Sequence, residues 1–240
     1  MTTRAAPASL LLAIAGLAAL AVVFASLGAW QLRRADASRA TLEQFASTTA
    51  DEPLAALPRE LDSAARFRRV EVEGAYVPEP QFLLDNMLHD GVAGYHVLTA
   101  LKIRGAREHV LVNRGWVAAG GDRRRLPDIT VSPAVQTVTG RLERLPRPGM
   151  RLSGEAGGSE QAVVLQYPTA AELQSRLGVP LFDYQLLLDA EAAQGYVRDW
   201  HAPGVAPERH IAYAGQWLAL AIGAFAAAGV MTVRSARRKP

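Results

Sequence analysis

Two uninterrupted apolar runs, one near each end of the 240-residue chain, limit its possible folds more than any other feature. No charged side chain occurs between Arg4 and Arg33, and residues 9–32 (SLLLAIAGLAALAVVFASLGAWQL) form, as a helix, a rod about 36 Å long that spans a tilted hydrocarbon core. Residues 211–233 (IAYAGQWLALAIGAFAAAGVMTV) are also uncharged and reach about 34 Å. Both runs read as transmembrane helices. Trp30 at the end of the first, and Tyr213 and Trp217 near the start of the second, are rings that prefer the headgroup layer, all at one membrane face. A cleaved leader competes for the first run, with Ala35-Asp36-Ala37 as a formal cleavage site. However, Arg33 and Arg34 would lie between the apolar run and the cut. A buried core helix competes for the second, against the RSARRK that follows it directly.

Two spans return both chain ends to one side. The cluster Arg234, Arg237, Arg238 and Lys239 assigns that side to the cytoplasm by the positive-inside rule. The predicted organisation is a cytoplasmic N-tail (1–8), a transmembrane helix (9–32), a periplasmic domain (33–210), a second transmembrane helix (211–233) and a basic cytoplasmic tail (234–240), in a bacterial inner membrane. Charge placement argues against nucleic acid. Of 26 basic residues, five lie in the two ends, and no acidic residue precedes position 33 or follows position 210. The remaining 21 basic residues face 23 acidic ones, so the apparent pI near 9.5 belongs to the tails and not to a basic domain face. The absence of cysteine excludes disulfides, thiolate metal sites and cysteine nucleophiles; a metal must be held by His, Met, carboxylate or carbonyl.

After the first run, RRADASRATLEQFAST contains helix formers and no breaker before Asp51-Glu52-Pro53, which predicts a helical stalk over 33–50. Beyond Pro53 and Pro58 the pattern changes to short period-two runs: 67–77, 81–87, 95–103, 109–118, 135–145, 162–167 and 182–189. Seven closely spaced strands predict a mainly antiparallel β domain, closed or folded on itself. The capping box Thr169-Ala170-Ala171-Glu172 opens one intervening helix, which Gly178-Val179-Pro180 ends. Residues 146–160 read as the longest loop. The fold class is thus a membrane α+β protein, two transmembrane helices flanking a mainly antiparallel β periplasmic domain.

Catalytic signatures are missing: the sequence holds no GxSxG, Walker A, HExxH or dinucleotide fingerprint. Of the five histidines (His89, His96, His109, His201, His210), none has a partner at helical metal-ligand spacing. His96 and His109 fall in strands and read as cross-strand hydrogen-bonders, His89 as a turn residue, and Glu71 and Glu73 as a solvated face. No enzyme is expected.

Four motifs carry a resemblance. LGAWQLRR (27–34), FRRVEVEGAY (67–76), VNRGWV (112–117) and RHIAYAGQW (209–217), in this order and in this relation to two membrane spans, resemble the Surfeit locus protein 1 family of cytochrome c oxidase assembly factors. QFLLDNM (81–87) and GVAGYHVLTAL (91–101) resemble that family's core segments. Ala100, Ala118 and Leu218 depart from it at turn and packing positions. Read without the family, Gly115 in VNRGWV permits a bulge or a close backbone approach, and Trp116 is sheet packing.

Because both spans have their outer ends at one face, 30–34 and 209–213 arrive at the same depth and can form one site. On the second span His210, Tyr213 and Trp217 share a helix face. Gly215, Ala219, Gly223 and Ala227 make a small-residue ridge that lets a helix approach, with Ala21, Ala25 and Ala29 as the matching strip. The resemblance implies that the protein binds heme a and passes it to subunit I of a heme-copper terminal oxidase, a chaperone role in the respiratory chain that also brings it near heme a synthesis enzymes and the lipid bilayer. It implies His210 as the metal ligand, with Tyr213, Trp217, Arg209, Arg33, Arg34 and Trp30 around the cofactor and the arginines available to its propionates. Two alternatives stay open. His210 is also an ordinary polar residue at the start of an interfacial helix, with the arginines snorkelling to lipid phosphate. The whole chain is also readable as a cofactor-free scaffold for newly made subunit I.

Overall fold

A computed structural model of the chain describes residues 8–48, 52–123, 125–146, 157–158 and 162–237. The expected tail 1–8 (but for Ala8), residue Asp51, most of the loop 146–160 and the cations Arg238 and Lys239 lie outside the described residues. The described elements are α1 (Ala8–Ser47), β1 (Arg69–Tyr76), β2 (Gln81–His89), β3 (Val92–Ile103), β4 (His109–Ala118), β5 (Val135–Arg144), β6 (Gly157–Gly158), β7 (Ala162–Leu165), α2 (Ala170–Leu177), β8 (Leu181–Leu188) and α3 (Pro207–Arg237). Two long apolar helices therefore flank a β-rich domain in sequence. The chain divides into two compact units, Met1–Gln44 with Ala202–Pro240, and Phe45–His201.

In the helical unit, α1 is continuous from the apolar run into the polar stretch after Leu32, and α3 begins one turn before the second run. Both are long and apolar enough to cross a membrane. Only 6% and 11% of their most apolar windows are buried within the chain, so neither is packed as a core helix of this chain. The helices meet along a seam with a seven-residue period: Ala21, Gly28 and Ala35 are buried on α1, and Ala214, Ala221 and Ala228 on α3. Ser38 bonds the carbonyl of Val205, Gln31 meets His210, and Phe24 stacks on Trp217, so positions rise along one helix as they fall along the other and the pair is antiparallel. A seven-residue repeat keeps one stripe facing its partner, as in left-handed helix pairs. This corrects the expected ridge. Gly215 and Gly223 have open space where a Cβ would stand, whereas a Cβ on Gly28 would lie 3.0 Å from the Leu218 side chain.

The other unit is a sheet closed on itself. β1 pairs β5, β5 pairs β8, β8 pairs β4, β4 pairs β3, and the C-terminal end of β3 returns to β1 through Gly74↔Ile103 and Tyr76↔Leu101. The first half of β3 instead pairs β2, which carries β7 and β6 outward. The described pairings are antiparallel except β4–β8 and β2–β7. Gly74 is needed at the closure, where a Cβ would stand 2.6 Å from the Lys102 carbonyl oxygen.

Alternation places the side chains. In β1, Val70, Val72 and Tyr76 point inward while Glu71 and Glu73 face solvent. Inside the barrel they pack with Val110, Val112, Val138, Leu142 and Leu186. Leu111, between two inward valines, points to the opposite face and packs with Phe82, Leu98 and Leu173 of α2. Thr169 caps α2 by accepting from the Glu172 N–H at 3.2 Å, and Gly178 ends it in the left-handed conformation. Strand 67–77 starts later than its alternation suggests because Phe67, fully buried, has φ 66°. The run 162–167 stops at Leu165, ahead of Tyr167 with φ 51°.

Candidate functional site

The seam of the helical unit brings one polar pair together. Gln31 follows Gly28 and precedes Ala35 on the buried stripe of α1, and the close approach that these small residues permit lets its side chain reach α3. Gln31 Oε1 lies 2.8 Å from His210 Nδ1. An amide oxygen only accepts, so Nδ1 carries the hydrogen and donates; in the neutral ring the lone pair then lies on Nε2. Among the described residues, Nε2 has no hydrogen-bond partner. Two turns further along α3, Trp217 stacks on Phe24 with ring centroids 5.8 Å apart and planes at 26°.

The residues selected from the sequence separate into two groups. His210 and Trp217 lie in the seam, half-buried. Tyr213, Trp30, Arg33, Arg34 and Arg209 lie on exposed helix surface, and Arg34 sits 5.9 Å from the Trp30 ring centroid as a cation–π pair. Gln31 lies inside the segment 30–34 expected at the site without being singled out there, and Phe24 falls outside the expected site. The signal that finds them is the alternation of steps of three and four through Ala21, Phe24, Gly28, Gln31 and Ala35, a period that selection by residue chemistry passes over.

One imidazole nitrogen is the kind of donor that heme iron takes from a protein. A histidine that ligates a metal through one nitrogen ordinarily donates from the other to an oxygen acceptor, which sets its tautomer and orientation. A bare divalent ion would need several protein ligands, and no group of three or more His, Asp or Glu suited to a metal occurs among the described residues. A porphyrin supplies four equatorial nitrogens itself and asks the protein for one or two axial ligands.

The barrel contains a second polar centre. Opposite Val97 of β3, strand β4 carries both Arg114 and Gly115, a bulge in which Gly115 adopts φ 110° with the Val197 carbonyl oxygen 2.5 Å from where a Cβ would stand. Arg114 follows inward Val110 and Val112 by alternation and is 1% exposed. All its acceptors are neutral: the carbonyls of Gln194, Ile129 and Thr130, Gln81 Oε1, and the hydroxyls of Thr99 and Tyr196. Burial lowers the Arg114 pKa and pushes that of nearby Tyr76 up to about 12. Trp116 beyond the bulge donates to the Met87 carbonyl, a packing role. His96 accepts from Asn113 Nδ2 across the strands at 3.3 Å and meets the Trp200 ring edge-on. Burial, and secondarily the charge of His89, lowers its pKa to about 4. His109, by contrast, has a buried Nδ1 with no hydrogen-bond partner among the described residues. A cleft of about 720 Å³ beside Arg69 and Trp200 holds three arginines and three acids, of which Arg69 pairs Asp189 and Arg198 binds backbone carbonyls. The Arg114 arrangement ties loops to strands.

Compared with known proteins, the chain matches the family model described as the SURF1 family over residues 18–222, a range that takes in the whole barrel and part of each apolar helix. No curated protein matches it.

Proposed function

The chain belongs to the SURF1 family, which is linked to cytochrome c oxidase assembly, and from that premise we propose that it binds heme a at the periplasmic edge of a bacterial inner membrane and aids its insertion into subunit I of a heme-copper oxidase. The observation that supports this reading is the His210–Gln31 pair, which engages Nδ1 and leaves Nε2 without a hydrogen-bond partner among the described residues, at the start of an apolar helix. Heme a would supply an iron that takes a nitrogen ligand and a macrocycle with anionic propionates. The residues do the rest. His210 offers the nitrogen, and Arg33, Arg34 and Arg209, each within a turn of the pair, offer exposed positive charge for the propionates. Trp30 and Tyr213 hold that level at the headgroup layer. The basic residues after position 233 keep both ends cytoplasmic and the barrel periplasmic. Receipt of heme from its synthesis enzymes and delivery to subunit I then occur at one membrane face, with the protein acting as a chaperone and not as a catalyst.

The test is the heme-to-protein ratio of the parent and His210→Ala, purified side by side from cells making heme a. His210→Ala should lose heme while still inserting, because alanine favours the helix and adds no charge. Arg33→Ala with Arg34→Ala should weaken binding less, since ion pairs at a wet interface contribute little. Equal ratios in parent and His210→Ala overturn the ligand assignment. A heme-free parent, with oxidase yield unchanged by His210→Ala, identifies the chain as a cofactor-free scaffold.

A further inference from the structure

We propose that Gln31 is the positioning residue of the site: its amide oxygen holds the His210 hydrogen on Nδ1 and thereby makes Nε2 the nitrogen presented to iron. The inference rests on the heme reading and adds to it a residue, an atom and a direction.

Geometry carries the argument. Neutral imidazole exists as two tautomers, and the form protonated on Nε2 has no lone pair there to give a metal. The 2.8 Å contact from Nδ1 to Gln31 Oε1 favours the other form. The partner is also held in place. Gln31 stands between Gly28 and Ala35, both buried, on the stripe that meets Ala214 and Leu218, so the backbone beneath its side chain is packed against α3. His210 precedes buried Ala214 by one turn on the facing stripe. The ring is thus anchored through one nitrogen by a second helix, and the free edge is the one that carries Nε2.

The acceptor type matters as well as its presence. An amide oxygen is neutral and draws the Nδ1 hydrogen only weakly. A carboxylate in its place pulls harder, makes the imidazole more basic and stabilises ferric over ferrous iron. An apolar side chain removes the acceptor and frees both tautomers.

The experiment uses the full chain in detergent as parent, Gln31→Leu, Gln31→Glu and His210→Ala. In heme-free protein, ¹⁵N shifts of the His210 ring should report the Nδ1–H tautomer in the parent and a mixture in Gln31→Leu. On reconstitution with heme a, Gln31→Leu should bind about 10- to 100-fold more weakly, the usual cost of losing such an outer partner. Gln31→Glu should bind and show a midpoint potential below the parent's, while Gln31→Leu shifts it upward. An Nε2–H tautomer in the parent overturns the proposal. So do unchanged affinity and potential in both Gln31 variants when His210→Ala abolishes binding, a result that leaves the heme reading intact. A parent that binds no heme overturns that reading instead, and the tautomer measurement then decides Gln31 by itself.

Discussion

Arg114 Nη1 donates to the amide oxygen of Gln81 at 3.0 Å, joining the middle of β4 to the first residue of β2, and the two side chains are 1% and 4% exposed. The same guanidinium reaches the carbonyls of Ile129, Thr130 and Gln194, so one cation closes two loops onto the barrel without a carboxylate partner. Replacing it exposes the dependence. Arg114→Met takes the donor from the carbonyls of Gln194 and Thr130, while Gln81 still donates to that of Ile129, at about 1 kcal/mol or more each for a loss of about 2 kcal/mol. Arg114→Lys should lose nearly as much, because an ammonium cannot span acceptors arranged for a planar fork. Thermal or urea unfolding of the full chain in detergent measures it; a parent-like midpoint in Arg114→Met would remove Arg114 from this role.

Acid should loosen the barrel through His96. Its pKa falls from 6.5 to about 4 on folding, chiefly by burial, so between those values the unfolded chain binds the extra proton. Stability is therefore complete above pH 6.5 and declines as pH falls towards 4, by about 3 kcal/mol at the limit. His96→Gln keeps an acceptor for Asn113 but does not titrate. The variant should show a flatter stability profile over this window than the parent, and parallel profiles would refute the assignment.

The helix seam makes a positional prediction about glycines. Gly28→Leu drives a side chain into Leu218 and should lower the melting temperature of the detergent-solubilised chain and its heme occupancy together. Gly223→Leu, where a Cβ meets open space, should leave both unchanged. Equal effects at the two positions would mean that the seven-residue seam is not the packed face.

Topology is testable without a purified protein. A reporter enzyme active only in the periplasm should work when fused after Asp128 and fail when fused after Pro240. The reverse pattern would overturn the orientation drawn from the terminal cations.

Much of this molecule is local, and the sequence by itself determined that part. Uncharged length specifies the two long apolar helices because a backbone out of water must satisfy its own hydrogen bonds. Alternation specifies strands such as β1 and β4, where each side chain reports its own environment, and Thr169 with Gly178 marks both ends of α2 by backbone chemistry alone. The order of motifs carried the family. Other features depend on residues far apart in the chain. Closure of β3 onto β1, the parallel pairing of β4 with β8 and the two-residue strand β6 follow from which edges remain available once the core is packed. The seam lies on Ala214, Ala221 and Ala228 and not on the glycine ridge, because a ridge suited to close approach does not say which of several small-residue faces gains most contact. Arg114 falls on the inward face of β4 by alternation with Val110 and Val112, but the neutral acceptors that let a cation sit there come from loops elsewhere in the chain. Gln31 reads as one polar residue beside two arginines until a residue 179 positions away brings a ring nitrogen to its amide. Hydrogen bonds of that kind are directional contacts between distant segments, and only the tertiary structure determines them.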